Sequence, residues 1–215
     1  MSQHTAIADL PLHDRFESVY ADAGRDASRV PWADERPHPA LVAWLNAEAP
    51  GLIRPGARVA VVGCGIGDDA AELHERGYDV LGFDVSESAI TWARERHCGP
   101  RFEVADLLAL PSNLVRRFDL VVEVNTLQAL EPDLLDLASE AISSLAKPHG
   151  TIVAICRGCD DDQVEVRRDP PHPLSPERLQ ALFAAHGFFP IRQPDDFLDD
   201  ETPPVRRLRA CFQRD

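Results

Sequence analysis

The sequence predicts an α/β protein: a mostly parallel, seven-stranded sheet with an antiparallel C-terminal strand and helices on both faces. Three observations lead there. Between Arg58 and Gly158, short segments rich in Val and Ile alternate with amphipathic helical segments, the pattern of βαβ units whose strands are buried on both faces. A glycine turn, "GCGIG", joins the first apolar segment to a helix. Two carboxylates, Asp84 and Asp106, end consecutive predicted strands, and open α/β sheets bind ligands beyond the carboxyl ends of their strands.

The elements follow in order. Residues 12–23, "LHDRFESVYADA", have helical spacing of apolar positions. A proline-bearing loop with Trp32 follows, and then a helix over 40–48 started by Pro39. "RVAVVG" reads as the first strand, and "DDAAELHERG" as a helix stopped by Gly77. "YDVLGFD" is a strand, and "SESAITWARERH" a helix capped by Ser86. "RFEVAD" and "FDLVVEVN" are the third and fourth strands, and "EPDLLDLASEAISSLAKPHG" predicts a long helix ending at Gly150. "TIVAICRG" is the fifth strand. Residues 158–175 break the rhythm as a long irregular connection, of the kind that is functional or mobile, such as a lid. "SPERLQALFAAHG" has Ser175 as cap and Pro176 at its first helical position. "FFPIRQPDDFL" and "VRRLRACFQRD" read as two closing strands. The division expected is a helical lead-in and cap over residues 1–56 and a core over residues 57–215, together one domain of ordinary size.

Composition narrows the partners. The 215 residues carry a formal net charge of −14, a balance that repels nucleic acid and anionic membranes. No segment has the ~18–20 consecutive apolar residues of a membrane helix, and the first residues lack a signal-peptide pattern. Five cysteines without framework spacing suit a reducing, cytoplasmic setting. Cys156 and Cys159 form one Cys-x-x-Cys without the second pair a structural zinc site needs, so no metal is expected. The implied partner is a small molecule, with the chain a monomer or homodimer.

Which nucleotide-like ligand the turn takes depends on its neighbours. A dinucleotide fingerprint needs Gly-x-Gly-x-x-Gly. Counted from Gly63 the third position is Asp68; counted from Gly65 it is Ala70, which the pattern tolerates. Charge weighs further, because a pyrophosphate would sit on the helix N-terminus where Asp68 and Asp69 lie. S-adenosylmethionine (SAM) carries no phosphate. Asp84 is placed to accept from ribose hydroxyls, and Asp106 from an adenine amino group flanked by Leu107. An NAD-linked reductase is further disfavoured because neither Tyr20 nor Tyr78 has Lys four residues later.

At this point the chain resembles the class I SAM-dependent methyltransferases, whose Rossmann-like sandwich matches the fold class above. "VVGCGIGDDA", "GFDVSESAI" and "ADLLALP" look like their first three motifs, and "FDLVVEVNTLQAL" like the strand that lines the active site. The resemblance implies that Gly63, Cys64, Gly65 and Gly67 approach the methionine half of SAM. It implies that Asp84 and Val85 hold the ribose, that Asp106 and Leu107 hold the adenine, and that Glu123 and Asn125 face the methyl-donor region. The chain departs from the family at Val61, where many members carry an acid. "VPWADERPHPALVAWL" and "PPHPLSPERLQALFAAHGF" further resemble the thiopurine, thiol-halide and tellurite-resistance-like methyltransferases. That likeness implies Trp32 over the SAM pocket and a small acceptor, with Arg36 and Arg168 near the mouth. The expected reaction is methyl transfer to a soft nucleophile such as a thiol. An O- or N-methyltransferase and a non-catalytic SAM-binding regulator are the alternatives. No base declares itself in the sequence; His38 and His172 are the candidates.

Overall fold

The computed structural model describes residues 11–160 and 170–214. Five parallel strands, β1 (Arg58–Val62), β2 (Asp79–Asp84), β3 (Arg101–Val104), β4 (Phe118–Val124) and β5 (Ala146–Arg157), form the body of the sheet. Beside β5 runs β8 (Arg206–Arg214), antiparallel to it. The order is β3-β2-β1-β4-β5-β8-β6, with β7 also on β8.

The sheet has eight strands where the sequence predicts seven. The segment read as one closing strand splits into β6 (Phe188–Pro190) and β7 (Asp195–Leu198), which pair with opposite ends of β8. Pro190 and Pro194 bracket the break, and neither can donate to a strand ladder. The helix expected to reach Gly150 is also shorter. It is α6 (Leu135–Leu145), preceded by a 3₁₀ turn at Pro132–Leu134, and its neighbour Ala146 already pairs with Phe118. Pro148 disfavours helical backbone at Lys147, and His149 takes a φ of 61°; the chain turns into strand at that point.

Strand parity sorts the side chains into two apolar layers. Val59, Val61, Leu120, Val122, Val153 and Ile155 face α2 (Pro39–Ala47), α3 (Ala49–Leu52), α4 (Asp68–Glu75) and α5 (Glu87–Arg96). Ala60, Val62, Val121, Ile152, Ala154 and Cys156 face α6 and α7 (Pro176–Ala184). Fully buried members such as Leu120 and Ile142 each contribute roughly 1.5–3 kcal/mol. The cap residues behave as expected: Ser86 accepts from Ala89 N at the start of α5, and Ser175 from Arg178 N at the start of α7.

The lead-in helix α1 (Leu12–Ala23) ends at Gly24 in the left-handed region and packs on α5. Tyr20, Ala23, Ala27 and Val30 share a small core with Ile66, Ala89 and Trp92. Arg25 clamps Glu95 bidentately across this contact. Glu17 accepts from Ser86 Oγ, Ser88 N and Ser88 Oγ, a carboxylate where the dipole of α5 favours one. These contacts set α1 over the carboxyl ends of β1 and β2.

Candidate active site

A cavity of about 550 Å³ opens over the carboxyl ends of the parallel strands, with α1 and the 30–38 loop as its other wall. Its floor begins at the glycine turn after β1. Gly63 has a φ of 57°, and a Cβ there would stand 2.5 Å from Thr126 Oγ1, whose hydroxyl donates to Val62 O. A Cβ at Gly65, φ 52°, would stand 2.8 Å from Tyr20 Oη. Only a bare backbone fits between the β4 loop and α1, so the turn's peptide groups face the cavity.

Asp84, buried at the end of β2, anchors this turn: Oδ2 accepts from Gly65 N at 3.0 Å and Oδ1 from Ser86 N at 3.0 Å. Burial raises its pKa against those hydrogen bonds. Val85, Asp106, Leu107 and Cys64 line the same cavity. Asp106 spends Oδ1 on Leu108 N, and its exposed carboxylate keeps the second oxygen for a ligand. Burial pushes the Cys64 thiol well up, so it presents a neutral thiol.

Asp68 and Asp69 both reach the cavity, yet each has an intrachain task. Asp68 pairs with Arg96 at 3.0 Å. Asp69 accepts from His38 N at 2.7 Å, and burial raises its pKa to about 6. They tie α4 to α5 and to the 30–38 loop, so their charge at the helix N-terminus is partly offset. Val61, at the family's acid position, is buried in the apolar layer behind the sheet and away from the cavity.

Trp32 covers the opening. It is 43% exposed, stands edge-on to Phe16 and Tyr20, and donates Nε1 to Tyr20 Oη at 2.7 Å. At the far end, beyond β4 and β5, the wall is Asn125, Gln128, Ala129, Leu130, Pro170 and Pro171, with Arg36, His38, Arg157 and Arg207 beside them. Gln128 organises this end: its Oε1 accepts from Arg157 N and its carbonyl from His172 N. Arg207 is buried and saturated, donating to Asp199 at 2.7 Å, to Glu201 and to Asn125 Oδ1.

Two expected residues stand elsewhere, and a third falls outside the description. Glu123, expected to face the methyl donor, is fully buried because strand parity turns it toward the α6 side. Its Oε2 accepts from Thr126 N and Leu127 N, and burial lifts its pKa to about 8; it shapes the β4 loop from behind. His172 is buried outside the cavity lining, its Nε2 3.5 Å from Glu131. Arg168 lies outside the described residues, as does the rest of 161–169 within the 158–175 connection. His38 does line the cavity, but its Nδ1 accepts from Ala40 N at 3.2 Å, which assigns the ring proton to Nε2. Burial, with Arg207 nearby, brings its pKa down to about 4. A neutral ring held in that way offers a hydrogen-bond donor and no lone pair for a proton. Tyr20, Thr126, Gln128 and Arg157 were not legible as site residues, since each enters the cavity through contacts distant in sequence.

Residues 59–150 match the family model described as a methyltransferase domain. A probable thiol methyltransferase 2 of Arabidopsis thaliana is 23% identical over 177 residues, covering 80% of this chain and 75% of that one. A thiocyanate methyltransferase 1 of the same plant is 25% identical over 184 residues, covering 82% and 76%. Over those residues the chain carries a methyltransferase domain, and it is similar to the class I SAM-dependent methyltransferases. Solved structures agree on the fold. One, described by the conversion of a disulfide bond into a thioacetal group during echinomycin biosynthesis, superposes on this chain with a TM-score of 0.75 at 28% identity, covering 95% and 93% of the chains. Another is the Burkholderia thailandensis 1,6-didemethyltoxoflavin-N1-methyltransferase with bound 1,6-didemethyltoxoflavin and S-adenosylhomocysteine (SAH), with a TM-score of 0.71 at 23% identity, covering 94% and 87%. The cavity suits SAM: a bare glycine turn, an open carboxylate at Asp106 and an aromatic cover, with two carboxylates at the helix N-terminus where a pyrophosphate would sit.

Proposed function

We propose that this methyltransferase methylates a soft small-molecule nucleophile, a thiol above all, at the β4–β5 end of its cavity. One observation carries the reading. Among the described residues, the wall formed there by Asn125, Gln128, Ala129, Leu130, Pro170 and Pro171 holds no carboxylate or imidazole of its own; beside it, Glu201 is spent on Arg207 and His38 offers only a donor. Bound SAM supplies a methyl group already activated by the sulfonium charge. The chain's own work is then positioning and exclusion of water, which in favourable cases is worth roughly 7–11 kcal/mol of barrier. A thiol that ionises near working pH needs no base; oxygen and amine acceptors more often do.

In this reading Asp106 and Leu107 hold the adenine, and Asp84, through its grip on the Gly65 turn, positions the ribose and the methionine half. The lead-in of residues 1–56 serves as a cover, with Phe16, Tyr20 and Trp32 closing the mouth. The 23% and 25% identical thiol and thiocyanate methyltransferases support a soft acceptor. The similarity to an N1-methyltransferase favours a nitrogen acceptor as the second reading. Cysteines free of disulfides among the described residues suit a cytoplasmic setting, and the −14 net charge suits action without nucleic acid, with the chain a monomer or homodimer.

The test is mass-spectrometric detection of methylated product from SAM with matched panels of thiols, phenols and amines. Thiol turnover at least tenfold above the others is expected. Turnover confined to amines or phenols would overturn the reading. Dialysis against a chelator should leave the rate unchanged; loss restored by a divalent ion would refute metal independence.

A further inference from the structure

We propose that Arg157 selects the acceptor, pairing its guanidinium with an anionic substituent, a carboxylate or sulfonate, carried by the thiol. The proposal rests on the thiol reading above for the reacting atom, and on separate geometry for the anion. Arg157 is the last residue of β5 and lines the cavity. Its Nε is shut off from solvent without a hydrogen-bond partner, and among the described residues its guanidinium makes no hydrogen bond or ion pair. The neighbouring arginines contrast with it. Arg206 is held by Asp160 and Asp196, Arg207 by Asp199 and Glu201, and Arg209 by Asp195.

The register sharpens the contrast. Arg157 stands directly opposite Arg207 across the β5–β8 pair, and like charges placed opposite each other destabilise a sheet. Both carboxylates near Arg207 are already spent on it, so nothing in that cluster offsets Arg157. A guanidinium with part of its donor set removed from water gains most from a bidentate, charge-assisted partner.

Position assigns the partner. Along the strand order the cavity runs from Asp106 after β3, past Asp84 on β2 and the glycine turn after β1, to the β4 loop and then Arg157 on β5. Arg157 is thus two strand places from the turn that receives the methionine half, or about 10 Å at the usual strand spacing. That is the far side of the reacting centre, where the acceptor's remote group would extend past Gln128 and Pro171.

The experiment compares kcat/KM, corrected for thiolate fraction, for 3-mercaptopropionate, 2-mercaptoethanol and cysteamine, in the wild type, R157K and R157Q. A charge-assisted, bidentate pair is among the stronger hydrogen-bonded contacts, so the wild type should favour 3-mercaptopropionate over 2-mercaptoethanol by about tenfold or more. The ratio should collapse toward one in R157Q, mainly through KM, and be partly kept in R157K. A wild-type ratio near one, or a ratio surviving R157Q, overturns the proposal. So does a tenfold loss of SAH affinity in R157Q by calorimetry, which would assign Arg157 to the cofactor's own carboxylate. If no thiol turns over, the thiol reading fails. Arg157 is then judged by calorimetric binding of 3-mercaptopropionate against 2-mercaptoethanol to the SAH-loaded wild type and R157Q: an Arg157-dependent preference upholds it, and equal binding overturns it.

Discussion

Replacing Glu123 by Gln should stabilise this protein at neutral and alkaline pH. Glu123 is fully buried, both hydrogen bonds it accepts fall on Oε2, and Oε1 has none. Burial dominates its titration and raises its pKa from 4.5 to about 8. In the unfolded chain the carboxyl ionises near its ordinary value, while the folded protein keeps the proton. Between pH 4.5 and about 8 the folded state therefore binds more protons, and stability falls as pH rises. Each pH unit costs ~1.4 kcal/mol, on the order of 5 kcal/mol across the window. Gln keeps an acceptor for Thr126 N and Leu127 N and does not ionise. Chemical denaturation of the wild type and E123Q at intervals from pH 5 to 9 reads the difference. The two stabilities should converge near pH 5 and separate by several kcal/mol at pH 8 in favour of E123Q. Parallel pH profiles would refute the reasoning, since they would mean Glu123 ionises alike in both states. E123A tests the hydrogen bonds: two buried N–H groups lose their acceptor, at about 1–3 kcal/mol each at every pH.

Further outcomes follow from the site. Gly63→Ala places a Cβ 2.5 Å from Thr126 Oγ1 at a φ of 57°; the left-handed backbone costs roughly 1–2 kcal/mol, and displacing Thr126 breaks its bond to Val62 O, worth about 1 kcal/mol. Denaturation should show a combined loss of ~2–3 kcal/mol, and a loss below ~1 kcal/mol would contradict it. Asp84→Asn keeps one acceptor for two N–H donors, Gly65 and Ser86. The glycine turn should then loosen, with SAH affinity falling about tenfold or more by calorimetry; unchanged affinity would count against Asp84 as its anchor. His38, with its pKa lowered to about 4, resists protonation when folded, so stability is present above pH 6.5 and lost as pH falls toward 4. His38→Gln should flatten that acid limb in a thermal-melting series, and the pH–rate profile should show no limb near 6.5 that disappears with the substitution.

Local signals made the fold readable at particular places. Short apolar runs in "RVAVVG" and "FDLVVEVN" placed β1 and β4, and Ser86 and Ser175 marked the starts of α5 and α7. They failed where a proline decided the backbone: Pro148 ended α6 early, and Pro190 and Pro194 divided the last hairpin. The site was half legible. Gly63, Gly65, Asp84 and Asp106 lie at strand ends, so position along one strand placed them on the cavity. Glu123 lies near a strand end too, but parity sent it to the other face.

By itself the sequence determined the parallel αβ order, the glycine turn and the strand-end carboxylates, because periodicity and turn chemistry act within a few residues. Only the tertiary structure decided which charges remain free. Asp68 meets Arg96, Asp69 meets His38 N, and Arg209 reaches Ala40 O, 169 residues away. Arg157 and Arg207 have the same residue type and stand opposite each other, yet among the described residues one is saturated by Asp199 and Glu201 while the other is left open to the cavity. Ion pairs and hydrogen bonds are settled by what packing brings within ~3 Å, and no pattern along the chain carries that information.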